Sequence, residues 1–239
     1  MSVTHAGDID MYYELHGSGD PLLLIGGLAN DVSEWKWMVD WCAKTNRVLT
    51  FDNRGAGRTD KPDASDTIPM MANDTDALME IAGMTHSTVL GVSMGGRIAL
   101  ELALEHPERV ARLILVSTSG SAHPESSTFR MEMLSMLSGL LFRGKHPQPR
   151  YAFARQRQAS RAYECTDRLG EIHVPTTILH GTRDRIVPLP EAEKMRRGIA
   201  GSQMVTFGGG HLFFLVRERT RFLDSVAAAF SARPSQPAS

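Results

Sequence analysis

A hydroxyl, an imidazole and a carboxylate stand in this sequence where their spacing could serve nucleophilic chemistry. Ser93 lies in Gly91-Val92-Ser93-Met94-Gly95, between an apolar run at residues 87–92 and a segment of helical spacing that carries Ile98, Leu102 and Leu104. A strand that turns abruptly into a helix leaves no room for side chains beside the turn, and the flanking glycines meet that condition while the serine hydroxyl is lifted clear of the sheet. The pentapeptide alone is a weak signal; its placement between a strand and a helix gives it force. A serine hydroxyl is a poor nucleophile at neutral pH and needs a base with an orienting acid behind it. Asp184 follows the β-type run 175–180 within Gly181-Thr182-Arg183-Asp184, and His211 follows the run 203–207 within Phe207-Gly208-Gly209-Gly210-His211. Both fall in loops after a strand, at the edge where parallel α/β sheets place their sites. The interval between them leaves room for one helix and one strand, so both loops emerge on the same side of the sheet.

The rivals are weaker. Asp167 and Glu171 precede the strand at 175–180 and belong at the wrong end of the sheet. Among the other histidines, His106 ends a helix, His173 and His180 bracket a strand, and His123 and His146 lie in a segment that breaks the strand rhythm. Asp52 and Arg54 read as residues that order a loop through hydrogen bonds.

The elements that must position these groups are legible as alternation. Buried-strand runs at 21–25, 47–51, 87–92, 112–117, 175–180 and 203–207 are separated by helical patterns, and 3–4 with 9–14 could add an antiparallel pair. That order predicts a mostly parallel sheet covered by helices on both faces. From about 120 to 170 no strand is expected. This stretch reads as an insertion, helical near 129–142 and again in the basic run 151–161. Its Met131, Met133 and Met136 could line an adaptable apolar pocket, or simply pack. Trp35, Trp37 and Trp41 read as the packing face and edge of one helix, and residues 232–239 as a frayed tail.

Composition bounds the rest. A chain of 239 residues can bury one substantial core, and the expectation is a single domain. Lys+Arg 26 against Asp+Glu 27 gives a net charge of −1, which argues against nucleic-acid or anionic-membrane partners. Apolar runs such as 22–25 are far too short to span a bilayer. Cys42 and Cys165 form no zinc-type cluster, and the start Met1-Ser2-Val3-Thr4-His5 lacks the pattern of a secretory signal, so a cytoplasmic setting is expected. The glycine clusters match no phosphate-binding fingerprint, and neither a metal nor an organic cofactor is expected.

Taken together, the elbow around Ser93, the downstream Asp184 and His211, the segment Asp52-Asn53-Arg54-Gly55-Ala56-Gly57-Arg58-Thr59 and the approach Asp167 to Thr176 resemble the α/β-hydrolase superfamily over roughly residues 8–230. Within it the chain is most similar to the small prokaryotic branch of carboxylesterases and 3-oxoadipate enol-lactonases. The resemblance implies a sheet of about eight strands, a short helical lid inserted after the sixth, and a Ser93–His211–Asp184 triad. It also implies an oxyanion site made by the backbone N–H groups of Leu28 and Met94, although Gly26 stands where relatives carry a His. The implied substrate is a small or medium carboxylic ester or lactone. Carbon–carbon bond hydrolases and perhydrolases keep the same serine and survive as alternatives; a non-catalytic ligand receptor on the same fold is the reading from another class. Substrate identity and oligomeric state stay open at this level.

Overall fold

A computed structural model describes residues 2–122, 145–215 and 218–231. Eight strands form one sheet: β1 (Ser2–Ala6), β2 (Ile9–His16), β3 (Asp20–Ile25), β4 (Asn46–Phe51), β5 (Ser87–Val92), β6 (Val110–Val116), β7 (Thr176–Gly181) and β8 (Gln203–Phe207). Their spatial order is β1-β2-β4-β3-β5-β6-β7-β8. The first two strands pair antiparallel and β2 pairs antiparallel with β4; every pairing from β4 onward is parallel. The expected strands are all present, with edges displaced by one or two residues. Pro175 has no N–H to contribute, so the last residue-long step into β7 is an accepted bond, Leu113 N–H to Pro175 O at 2.9 Å. At its far end β6 stops at Val116 because Ser117 takes a positive φ of 47°.

The sheet is buried on both faces by period-two alternation. Leu23, Ile25, Leu49, Val89, Leu113, Leu115 and Ile178 face one side, against α2 (Ile68–Ile81), α3 (Met94–Glu105) and α5 (Leu189–Gly198). Leu22, Leu24, Val48, Leu90, Val92, Ile114 and Val116 face the other, against α1 (Lys36–Cys42) and α6 (Arg219–Phe230). A stack of Phe207, Phe213, Phe214 and Phe222 closes the second core beneath the loop that carries His211.

Between β6 and β7 the described residues contain α4 (Arg150–Ala162) and a 3-10 segment, Thr166–Glu171. The helix expected near 129–142 lies outside the described residues, as do Met131, Met133, Met136 and the tail at 232–239. One expectation is corrected. Trp35 does not share a helix with Trp37 and Trp41: it ends a 3-10 turn, Val32–Trp35, whose Ser33 N–H is capped by the Asp31 side chain, and α1 begins only at Lys36. Among the described residues, no helix is long and apolar enough to cross a membrane.

Candidate active site

The turn from β5 into α3 leaves Ser93 at φ 55° and ψ −117°, a conformation that costs a non-glycine residue about 1–3 kcal/mol and persists only where the surroundings enforce it. The enforcement is visible. Ser93 N–H donates to Val116 O at 2.9 Å, and the Ser93 carbonyl accepts from Gly96 N–H at 3.0 Å and Thr118 Oγ1 at 2.7 Å. The flanking glycines are steric necessities: a Cβ on Gly91 would lie 2.3 Å from Gly95 O, and one on Gly95 would lie 2.3 Å from Ile25 O.

Asp184 sits four residues beyond the fully buried His180 near the end of β7. Its Oδ1 accepts from the N–H groups of Ile186 (2.8 Å) and Val187 (2.9 Å), which leaves Oδ2 for His211 Nδ1 at 2.8 Å. Three donors converge on this buried carboxyl group. His211 is placed after β8 by Ser117 Oγ, which donates to its carbonyl at 2.9 Å. With Nδ1–H committed to Asp184, Nε2 carries the lone pair, and it lies 3.0 Å from Ser93 Oγ. Ser93, His211 and Asp184, from three loops at the C-terminal edge of the sheet, thus form one continuous hydrogen-bonded chain that can pass the serine proton to the imidazole. The rivals are elsewhere: Asp167 and Glu171 lie in the 3-10 segment before β7.

Beside Ser93 runs the turn after β3; a Cβ on Gly27 would sit 3.4 Å from Ser93 Cβ. Here Asn30 N–H donates to Gly27 O (3.3 Å), Gly27 N–H to Asn30 Oδ1 (3.1 Å) and Ala29 N–H to Gln156 Oε1 (3.1 Å). Three of the four N–H groups from Gly27 to Asn30 are therefore committed, and among the described residues that of Leu28 has no acceptor. Met94 N–H, at the first position of α3, lies beyond the reach of intrahelical acceptors. The absence of a side chain at position 26 also has a local cause: a Cβ there would lie 2.7 Å from Trp35 Nε1, so the buried indole takes the space a histidine would need.

Asp52 and Arg54 order the neighbouring loop, as the sequence suggests. Asp52 accepts from Val32 N–H and Arg58 N–H, each at 2.7 Å, while burial raises its carboxyl above the ordinary value. Arg54 is held by both oxygens of Asp74, each at 2.7 Å, and Asn53 Nδ2 donates to Gly26 O at 3.0 Å. Two supporting residues carry no motif. Gln156 is fully buried on α4, and its only trace in the sequence is that it shares a helical stripe with Ala152 and Ala159. His180 donates through Nε2 to Val187 O at 2.9 Å, and burial lowers its pKa.

A profile of the alpha/beta hydrolase fold matches residues 20–144. The chain is 26% identical to "Putative carbamate hydrolase RutD" of Rhizobium rhizogenes, with 93% of this chain and 98% of that protein covered. The protein of the same name from Azorhizobium caulinodans is 37% identical over 117 residues, 49% of this chain, and the match spans only 44% of that relative. Among solved structures, the esterase EaEST of Exiguobacterium antarcticum superposes with a TM-score of 0.84 at 26% identity, covering 97% of this chain and 99% of that one. The enol-lactonase of Burkholderia xenovorans LB400 superposes with a TM-score of 0.86 at 21% identity, covering 97% and 100%, a likeness of fold. With a matched profile that spans the strands from β3 to β6 and the serine elbow, this chain belongs to the alpha/beta hydrolase family.

Proposed function

We propose that this protein hydrolyses a small or medium carboxylic ester or lactone through an acyl-enzyme on Ser93. The observation that carries the reading is the continuous chain Ser93 Oγ–His211 Nε2 (3.0 Å), His211 Nδ1–Asp184 Oδ2 (2.8 Å), beside a turn whose Leu28 N–H has no acceptor among the described residues. Ser93 Oγ attacks the carbonyl carbon as its proton passes to His211 Nε2, and Asp184 stabilises the imidazolium. Leu28 and Met94 N–H groups bind the oxyanion of the tetrahedral intermediate. The imidazolium then protonates the leaving alkoxide; the alcohol departs, or stays tethered when the substrate is a lactone. Water, deprotonated by His211, attacks the acyl-enzyme, and the second intermediate collapses to the acid with Ser93 reprotonated. Only the neutral imidazole of His211 can accept the serine proton.

A carbamate is the second reading. The full-length likeness to the RutD of Rhizobium rhizogenes favours it, and its carbonyl would be attacked by the same serine.

The test is turnover of a p-nitrophenyl ester series together with lactones and aryl carbamates, with fluorophosphonate labelling of Ser93. The expected outcome is ester or lactone turnover and labelling in the wild type, and loss of both in Ser93→Ala. A wild type as inert as Ser93→Ala toward every substrate and the probe would sink the hydrolase reading; turnover confined to carbamates would replace the ester assignment.

A further inference from the structure

The turn that presents Leu28 N–H is not held by its own strand alone. Ala29 takes a positive φ of 63°, uncommon for a residue with a side chain. Its N–H is tied to Gln156, 127 residues away on α4. The carboxamide of Gln156 is fully buried and is used at both ends: Oε1 accepts from Ala29 N–H (3.1 Å) and from Gln148 Nε2 (2.9 Å), while Nε2 donates to Arg54 O at 2.5 Å. These partners fix the orientation of the amide, since reversing it would set its NH2 against two donors and its oxygen against a carbonyl. Gln148 Nε2 also donates to Gly55 O at 2.7 Å. A neighbouring tie runs in parallel, where buried Asp31 caps Ser33 N–H at 2.8 Å with one oxygen and accepts from His146 N–H at 2.8 Å with the other. Among the described residues, those returning from the β6–β7 connection therefore hold the turn after β3 at Ala29, through Gln156, and at Asp31 and Ser33, through the N–H groups of His146 and Lys145, and the Gln156 tie is the one beside Leu28.

We infer that Gln156 is a positioning residue for the oxyanion turn: its carboxamide holds Ala29 in the left-handed conformation and thereby aims the Leu28 N–H at the charge that develops on the substrate. Acceptance from Ala29 N–H removes the competing donor on the C-terminal side of Leu28, as Asn30 Oδ1 does for Gly27 N–H on the other side, and donation to Arg54 O locks the acceptor in place. The role rests on the hydrolytic reading above, because it acts only when an oxyanion forms. A donor misaimed by a fraction of an ångström loses transition-state stabilisation while substrate binding is little changed.

The experiment compares wild type, Gln156→Leu and Gln156→Glu in turnover of p-nitrophenyl acetate, or of whichever substrate the wild type cleaves. It adds the affinity of a trifluoromethyl ketone, which captures Ser93 as a hemiketal oxyanion. Gln156→Leu is expected to lose about 10- to 100-fold in kcat with KM within about threefold, and to lose ketone affinity in proportion to kcat/KM. Gln156→Glu keeps the size of the side chain, so it remains informative if the leucine variant fails to fold. As a carboxylate it can still accept from Ala29 N–H but faces Arg54 O with no proton to donate; when protonated it restores the bond to Arg54 O. Its deficit relative to wild type is therefore expected to narrow as the pH is lowered, an effect that a merely structural role would not produce in kcat. Folded variants that keep kcat and ketone affinity within twofold of wild type, or a glutamate variant whose deficit is independent of pH, would overturn the assignment. An inert wild type would instead indict the hydrolytic reading, and the two failures are thereby distinguished.

Discussion

At the scale of single residues, the two oxygens of Asp184 have different tasks. Oδ1 is occupied by the N–H groups of Ile186 and Val187, and Oδ2 by His211. In Asp184→Asn the amide oxygen is drawn to the two backbone donors, so the NH2 group must face His211. A donor at that place forces Nδ1 to accept and puts the ring proton on Nε2, pointed at Ser93, where it can no longer take the serine proton. The variant should fold like wild type and lose about 10⁴-fold in kcat, the size such a tautomer change has in a serine protease. Circular dichroism and steady-state kinetics at pH 7–8 check this; activity within tenfold of wild type would remove Asp184 from the role. These three side chains were readable from the sequence because their constraints are local. Gly91 and Gly95 are demanded by contacts at the elbow itself, and the acid and base each follow a strand whose apolar run announces its end. Gln156 is defined only by partners that the fold brings to it, and no spacing rule reaches a partner 127 residues away.

At the scale of elements, α3 does more than carry Ser93 at its N-terminus. Arg97, buried one turn into the helix, donates to the carbonyls of Ser160, Tyr163 and Ser121 and to Ser119 Oγ at 2.7 Å. It therefore joins the chain leaving β6 to the end of α4, the same helix that carries Gln156. Burial pushes its guanidinium down to about 10, still charged at neutral pH, so the carbonyl dipoles it gathers are held by a cation in a poorly solvated place. Tyr163 adds a second tie, its hydroxyl donating to Glu101 at 2.9 Å. Arg97→Leu removes the donors and leaves buried acceptors without partners, at about 1–3 kcal/mol for each that finds no water. The expected outcome is a loss of about 3 kcal/mol in urea unfolding with kcat lowered as well, because α4 is no longer pinned; a change under 0.5 kcal/mol would contradict it. The strands and α3 were foreseeable from apolar periodicity. What α4 does was not: the run 151–161 reads only as basic and helix-prone, and the inward stripe of Ala152, Gln156 and Ala159 has too little apolar bulk to announce itself.

At the scale of the whole molecule, the parallel sheet brings every strand end from β3 to β8 to one edge, which is why loops 118 residues apart meet at Ser93 and His211. The same convergence buries titratable groups, and His180 shows how that reaches global stability. Its Nε2–H donates to Val187 O, and its Nδ1 has no partner in the described residues, so a proton added there would have no acceptor. Desolvation accordingly lowers its pKa, outweighing the attraction of Asp184, whose Oδ2 is 3.7 Å away. A native pKa below the ordinary value of 6.5 means that the unfolded chain binds this proton more readily than the folded one. Stability is then full above pH 6.5 and drains as the pH falls toward the native pKa, with a slope of at most about 1.4 kcal/mol per pH unit from this single group. His180→Gln retains an N–H for Val187 O and carries no titrating proton. Urea unfolding of wild type and His180→Gln at pH 8, 7, 6 and 5 should show the wild type losing stability relative to the variant only below about pH 7. Curves that stay parallel over that range would show that His180 is not the group through which acid reaches this fold.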